Sequence, residues 1–490
     1  MGSRDDQGQL RKPRPDQPRA AAPSGRRRGQ VKPPTSAARG ESRYPVRHSA
    51  HLWATEHMDQ RSGSAYATEL SRQQQRLWEV ERLVRGSALL HTGIALRLDG
   101  MLDEKGLSRA VSTVFRRHEL LDTSFRADGE TLILGPAEHH EPRVLHRPDL
   151  TADRAEHLDE IRRAAATAHA EIFPLTGEPL ARATLTVLGD DSAVLLLTFH
   201  RLVMDLFSLH QVVTDLQDAY LRGPAEPPAP ADRYSQILAS REHRRPRDWE
   251  FWRTELSGFP TPWIGERRPE PGWLPDGAEL RIPLDPDLTR LLRANARDAR
   301  CTPTVFVTAA AARRVLERSG AADLVLATMS ANRMNSDAVG PLAQAVLVRV
   351  GPSAPLGDDG VLAQVRRGLR EGMAHQGVEF EEIVDLLTDT MGVARDDLAP
   401  LSVSVTDDSW RSSVAGLAFT PFDLEADDQG EGQDEEGAGP VVRPSQLDVE
   451  LNLSGAQPQL VLTYDRRCFG EEWCEHFAAD LLTDLATGRH

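Results

Sequence analysis

Residues 193–216, AVLLLTFHRLVMDLFSLHQVVTDL, constrain the fold more than any other stretch of the chain. Val194-Leu195-Leu196-Leu197 is an apolar run of strand length, far short of the about 20 residues that span a bilayer. Beyond it, Leu209, Val212, Val213 and Leu216 recur at helical spacing. His200, Arg201 and Asp205 therefore stand where a buried strand ends and a helix begins. Polar side chains at such a junction border a core, which is where α/β proteins carry their chemistry.

His200 and Arg201 differ in kind. An imidazole such as that of His200 accepts a proton near neutral pH. Arg201 keeps its proton at any working pH; it can donate hydrogen bonds or hold a phosphate or carboxylate, but it cannot be a general base. His210, inside the helix, reads as structural.

The flanking sequence supplies further elements. Ser71 is placed as an N-cap, with Gln74 completing a capping box. Residues 93–98 alternate as a half-buried strand, and Leu107, Ala110, Val111, Val114 and Phe115 form a helical stripe opened by Asp103. Residues 153–171 read as a helix. Two strand-like runs flank Gly189-Asp190-Asp191, a hairpin signal, and the Pro-rich 224–231 segment divides the chain. In the second half, a short helix is expected around Trp249, Trp252 and Leu256. Thr302 and Pro303 open another as N-cap and first helical residue. A buried strand at 324–327, helices near 359–375 and 379–388, strands at 446–451 and 460–465, and a helix from 471 to 487 complete the pattern.

Length and charge bound the function. At 490 residues and 40% hydrophobic content the chain suits two or three cores. A net charge of −16 argues against nucleic acid as the main partner. Cys301, Cys468 and Cys474 fit neither a disulfide framework nor a zinc pattern and read as reduced, cytosolic residues. With no membrane helix and no signal peptide in view, a cytoplasmic location is expected. Residues 1–62, rich in Arg and Pro and including Arg26-Arg27-Arg28, read as a disordered basic arm. It is either a contact for an acidic partner or dispensable. Residues 423–436 read as a solvated acidic insertion.

Several of these stretches resemble motifs of nonribosomal peptide synthetase condensation domains, whose fold is shared with chloramphenicol acetyltransferase. Leu70-Ser71-Arg72-Gln73-Gln74-Gln75-Arg76-Leu77-Trp78 resembles the family's Leu-Ser-x-x-Gln-x-x-Leu-Trp. Arg117-His118-Glu119-Leu120-Leu121-Asp122-Thr123-Ser124-Phe125 resembles Arg-His-Glu-x-Leu-Arg-Thr-x-Phe, with Asp122 at the Arg. Phe173 to Arg182 resembles Phe-Asp-Leu-x-x-Gly-Pro-Leu-x-Arg, and Asn332-Arg333 a later motif. The signature His-His-x-x-x-Asp-Gly here reads His200-Arg201-Leu202-Val203-Met204-Asp205-Leu206. Its second His, catalytic in the family, is Arg201, and its Gly is Leu206.

The resemblance implies two acetyltransferase-like α/β lobes in a V-shaped pseudodimer with a central tunnel, at residues 63–231 and 232–490. It implies that Asp205 is structural and pairs with Arg333, that His200 packs and hydrogen-bonds, and that Arg201 faces the tunnel. No bound cofactor or metal is expected. A phosphopantetheine arm of an acyl or peptidyl carrier protein would enter the tunnel. Two functions stay open. One is a freestanding condensation homologue that binds carrier-tethered intermediates with condensation impaired or lost, and that recruits a tailoring enzyme as related His-Arg domains do. Those domains carry a second Asp where this chain has Leu206. The other is an active amide- or ester-forming acyltransferase that works by positioning or through another base, which is either His200 or a residue elsewhere.

Overall fold

The structure is a computed structural model. It describes residues 70–490 apart from 85, 129–130, 137–140, 152–153, 189–190, 224–228, 230, 259–262, 269–275, 334, 352–357, 392–397, 407–412, 425–444 and 454–457. The basic arm, and the acidic insertion beyond Leu424, lie outside these residues.

The first half runs α1 (Arg72–Leu83), β1 (His91–Asp99), α2 (Glu104–Arg117), β2 (Thr123–Asp128), β3 (Thr131–Pro136), β4 (Arg143–His146), α3 (Ala155–Ala170), β5 (Ala181–Val187), β6 (Ser192–His200) and α4 (Leu206–Arg222). The second half opens with α5 (Tyr234–Glu255), β7 (Gly277–Pro283), α6 (Pro286–Asp298), α7 (Pro303–Ser319), β8 (Leu324–Ser330) and β9 (Gln344–Val350). It continues with α8 (Asp358–Ala374), α9 (Phe380–Met391), β10 (Leu401–Thr406), β11 (Ser413–Val414), β12 (Leu417–Pro421), β13 (Leu447–Asn452), β14 (Gln459–Asp465) and a terminal helix, Glu471–Thr487.

Local signals in the sequence set many of these ends. Ser71 and Gln74 form the reciprocal capping box of α1. Asp103 caps α2 through the Gly106 amide, and Thr302 caps α7 with Pro303 as its first residue. Gly223 ends α4 at φ 65°, a conformation that glycine adopts without a Cβ penalty.

Two mixed six-stranded sheets result, in the orders β11-β12-β1-β6-β5-β4 and β7-β14-β13-β10-β8-β9. Strand β6 is central in the first. Leu195, Leu197 and Phe199 face the core beneath α2 and α4, and Val194 and Leu196 face a smaller cluster with Ile161 of α3. A strand covered on both faces has to be apolar throughout, which explains the unbroken run. Residues 413–421 follow the division at 231, yet β12 pairs antiparallel with β1, from Leu96↔Pro421 to Asp99↔Ala418. The second half thus completes the sheet of the first.

Helix α5 departs from the short helix expected around Trp249. It has 22 residues, with Pro246 inside it. Its sequence is polar and its proline removes a helical hydrogen bond, so the periodicity is faint. Tertiary bonds hold it: Arg241 Nη2 donates to the carbonyls of Asn332 and Leu342 at 3.2 and 3.1 Å, Asp248 accepts from the Gly377 amide at 2.8 Å, and Trp252 Nε1 donates to the His375 carbonyl at 2.8 Å.

The N-terminus of α1 is held from the other half. Glu379 accepts from the amides of Arg72 and Gln73 at 3.3 and 2.8 Å. Glu379→Ala strands both donors and is expected to cost about 1–2 kcal/mol, read as a lower urea midpoint for the full chain. An unchanged midpoint would show that water replaces the carboxylate. Among the described residues, no helix is long and apolar enough to cross a membrane.

Candidate functional site

The site grows from the end of β6. The His200 amide donates to the Leu180 carbonyl at 2.9 Å and the Arg201 amide to the Leu90 carbonyl at 2.8 Å, so the ladder runs to the last residue of the strand. The chain then turns tightly, with the Val203 amide on the His200 carbonyl at 3.0 Å. Leu202, Val203 and Met204 are buried, and Gln74 Nε2 of α1 donates to the Leu202 carbonyl at 2.8 Å. The turn is thereby fixed by packing below and a hydrogen bond above.

Asp205 caps α4 and is nearly enclosed. Its Oδ1 accepts from the Ser208 amide at 2.7 Å and from Arg333 Nη2 at 2.6 Å. Its Oδ2 accepts from the amides of Leu342 and Ala343 at 2.9 and 2.7 Å. Four donors saturate the carboxylate, which leaves it no acceptor capacity for chemistry. Arg333 also reaches the Ala331 and Gly340 carbonyls and the Ser208 hydroxyl. Asp205 and Arg333 come together as one knot that ties the turn to the second half.

His200 does not reach the cavity described below. Its Nδ1 accepts from the Leu202 amide at 3.1 Å, so Nε2 carries the proton and points at Glu81 Oε2, 3.3 Å away. Both side chains are buried. Both ring nitrogens are thus engaged within the protein.

Arg201 points the other way, into a cavity of about 850 Å³ lined from both halves of the chain. It is exposed there, and among the described residues its side chain has no hydrogen-bond or salt-bridge partner. Met204, Leu206, Phe207, Met329 and Met373 make much of the wall apolar. Leu206, at the first position of α4, is 52% exposed and projects into this space where a glycine would leave it open. Arg366, Arg370 and Glu450 also reach the wall.

Among the wall residues that the sequence did not single out is His91. The sheet register sets it directly opposite His200. Its Nδ1 lies 2.8 Å from the His169 carbonyl. Burial pushes its pKa below the ordinary histidine value, and the charges of His200, His169 and Arg182 add to the effect, against the raising effect of that hydrogen bond. No local pattern marks a histidine at the start of a strand; only pairing across the sheet brings it to the site.

The chain matches known proteins along nearly all of this fold. The family described as Condensation domain matches residues 65–486. Phosphinothricin tripeptide synthetase PhsC of Streptomyces viridochromogenes is 33% identical over 341 residues, 64% of this chain and 30% of the relative, so the chain spans under a third of that protein. Among solved structures, the condensation domain of the Monacolin K polyketide synthase MokA aligns with a TM-score of 0.67 at 19% identity, covering 86% of this chain and 98% of that one. The X-domain from teicoplanin biosynthesis aligns at 0.64 and 22%, covering 87% and 96%. These likenesses give the fold: mixed α/β, of the chloramphenicol acetyltransferase kind.

Proposed function

This chain belongs to the condensation-domain family, and we propose that its cavity receives the thioester end of an acyl or peptidyl chain held on the phosphopantetheine arm of a carrier protein. The observation that carries this reading is the cavity itself. It opens between the two halves, is apolar along much of its wall, and presents Arg201, unpaired among the described residues, at the position of the family's catalytic His. Residue 201 takes no part as a proton acceptor. Its guanidinium donates hydrogen bonds to a carbonyl or carboxylate of the tethered chain, while the methionines and Leu206 cover the acyl part. The residues present form a wall for the arm and its cargo; the arm supplies the thioester on which acyl transfer would act.

Leu206→Trp tests this directly. The side chain is exposed on the wall, so the larger ring fills the cavity without disturbing a core. A carrier protein loaded with a hydrolysis-resistant octanoyl amide of phosphopantetheine is titrated calorimetrically against the full-length chain. We expect the loaded carrier to bind more tightly than the unloaded one, and Leu206→Trp to weaken the loaded form by about tenfold, about 1.4 kcal/mol. Equal affinity for loaded and unloaded carrier, or for wild type and Leu206→Trp, would sink the reading. Capture of a tailoring oxygenase in place of a carrier would move the function to recruitment.

A further inference from the structure

We propose that His91 is the proton acceptor for acyl transfer in this cavity, taking the proton of an amine or hydroxyl as it attacks the thioester carbonyl. This rests on the reading that the cavity holds carrier-tethered thioesters.

The argument begins with the ring's hydrogen bonds. A backbone carbonyl only accepts, so the His169 oxygen, 2.8 Å from Nδ1, requires that Nδ1 carry the hydrogen. The neutral ring then has its lone pair on Nε2. Among the described residues Nε2 has no hydrogen-bond partner, and the residue borders the cavity. His200, its neighbour across the sheet, has the opposite arrangement, with both nitrogens occupied. Of the two histidines that the register brings together at this end of the sheet, one has both ring nitrogens occupied and the other borders the cavity with Nε2 unpartnered among the described residues.

The ring is also held. Phe173 packs edge-on with ring centroids 5.0 Å apart, His200 stands at 6.2 Å and His169 at 6.0 Å, both edge-on. A base held in one tautomer and one orientation pays little reorganisation in the transition state. The charged or titratable groups that face it are His200 from β6, His169 from the end of α3 and Arg182 from β5. Burial disfavours a positive charge on the ring, and the Arg182 guanidinium acts in the same direction. These effects hold the ring's pKa below the ordinary histidine value, which favours the neutral form that can accept a proton. It has the chemistry that position 201 lacks, and the Leu90 carbonyl beside it accepts from the Arg201 amide.

The step balances without a further reagent. The nucleophile's nitrogen or oxygen bonds to the acyl carbon, its proton passes to His91 Nε2, and the C–S bond breaks. The proton then goes to the departing thiolate, leaving an amide or ester, a free pantetheine thiol and neutral His91.

The test uses the full-length chain, the hexanoyl thioester of N-acetylcysteamine as donor and glycinamide as acceptor. Product is measured by mass spectrometry and donor binding by saturation-transfer NMR. His91→Asn keeps a side-chain N–H for the His169 carbonyl and removes the basic nitrogen. Transfer by wild type should rise with pH and level off at a pKa below the ordinary histidine value. His91→Asn should lower the rate about 10²-fold or more and abolish that rise, with donor binding and thermal unfolding unchanged. His91→Ala should recover transfer when imidazole is added. The proposal is overturned if wild type binds the donor without transferring it, or if His91→Asn keeps the rate or the pH profile. Failure of wild type to bind the donor overturns the cavity reading, and the base with it.

Discussion

Asp205→Ala is expected to destabilise the chain by about 3–5 kcal/mol, the usual cost of removing one partner from a buried ion pair. That is a large share of the about 5–15 kcal/mol that holds an ordinary domain folded. The loss has two parts. Arg333, whose side chain is only 10% exposed, keeps its charge without its carboxylate. The amides of Ser208, Leu342 and Ala343 lose their acceptor at the same time. Arg333→Ala should cost less, because three backbone donors still hold the aspartate. The double substitution should fall short of the sum of the single ones, since both act on one knot. Urea unfolding of the three variants measures this. A loss below about 1 kcal/mol for Asp205→Ala would show that the turn is held by Gln74 and its own packing alone. Because the knot joins β6 to the second half, this variant should also lose the preference for loaded carrier, even under conditions where it remains folded.

Asp484→Ala is expected to cost a similar amount, about 3–5 kcal/mol, at a place remote in function. Asp484 sits in the terminal helix, 1% exposed. Its Oδ2 accepts from Arg313 Nη2 and its Oδ1 from Arg314 Nη2, both at 2.6 Å, and Arg314 Nε adds a further bond. Arg313 is itself fully buried, with Glu317 as its other partner at 2.8 Å. Without Asp484 a guanidinium stays in the core with half its neutralisation gone. Arg313→Met together with Asp484→Leu should recover most of the loss, because an apolar pair of similar volume carries no desolvation penalty. None of these residues borders the cavity. Binding of loaded carrier per folded molecule should therefore be unchanged, which separates this variant from Asp205→Ala. A change in binding would reveal coupling between the terminal helix and the site.

Several elements were legible because their determinants are local. The capping box at Ser71 and Gln74 and the caps at Asp103 and Thr302 each lie within a few residues of the group they satisfy. The apolar run of β6 was legible for a related reason: burial on both faces writes itself into every residue of the strand. The motif order pointed to the family, and Asn332-Arg333 pointed to the partner of Asp205. Helix α5 was read too short because its stabilising bonds run to residues about 90–130 positions away while its own pattern is interrupted by Pro246. Strand β12 gave no sign that it would join β1, because edge pairing is a match between backbones and leaves little mark on either sequence.

The site divides along the same line. The sequence by itself determined that a strand would deliver His200 and Arg201 to the head of a helix, with Asp205 at the same junction, and that Arg201 could not be a base, since the pKa of a guanidinium is a property of the group. Only the tertiary structure decided which side chains meet the cavity. Successive residues of a strand point to opposite faces, so what each of them finds depends on the elements packed there. His200 found Glu81 and Arg201 found the cavity, and the register that set His91 opposite His200 brought a second imidazole to the same end of the sheet, at the border of the cavity.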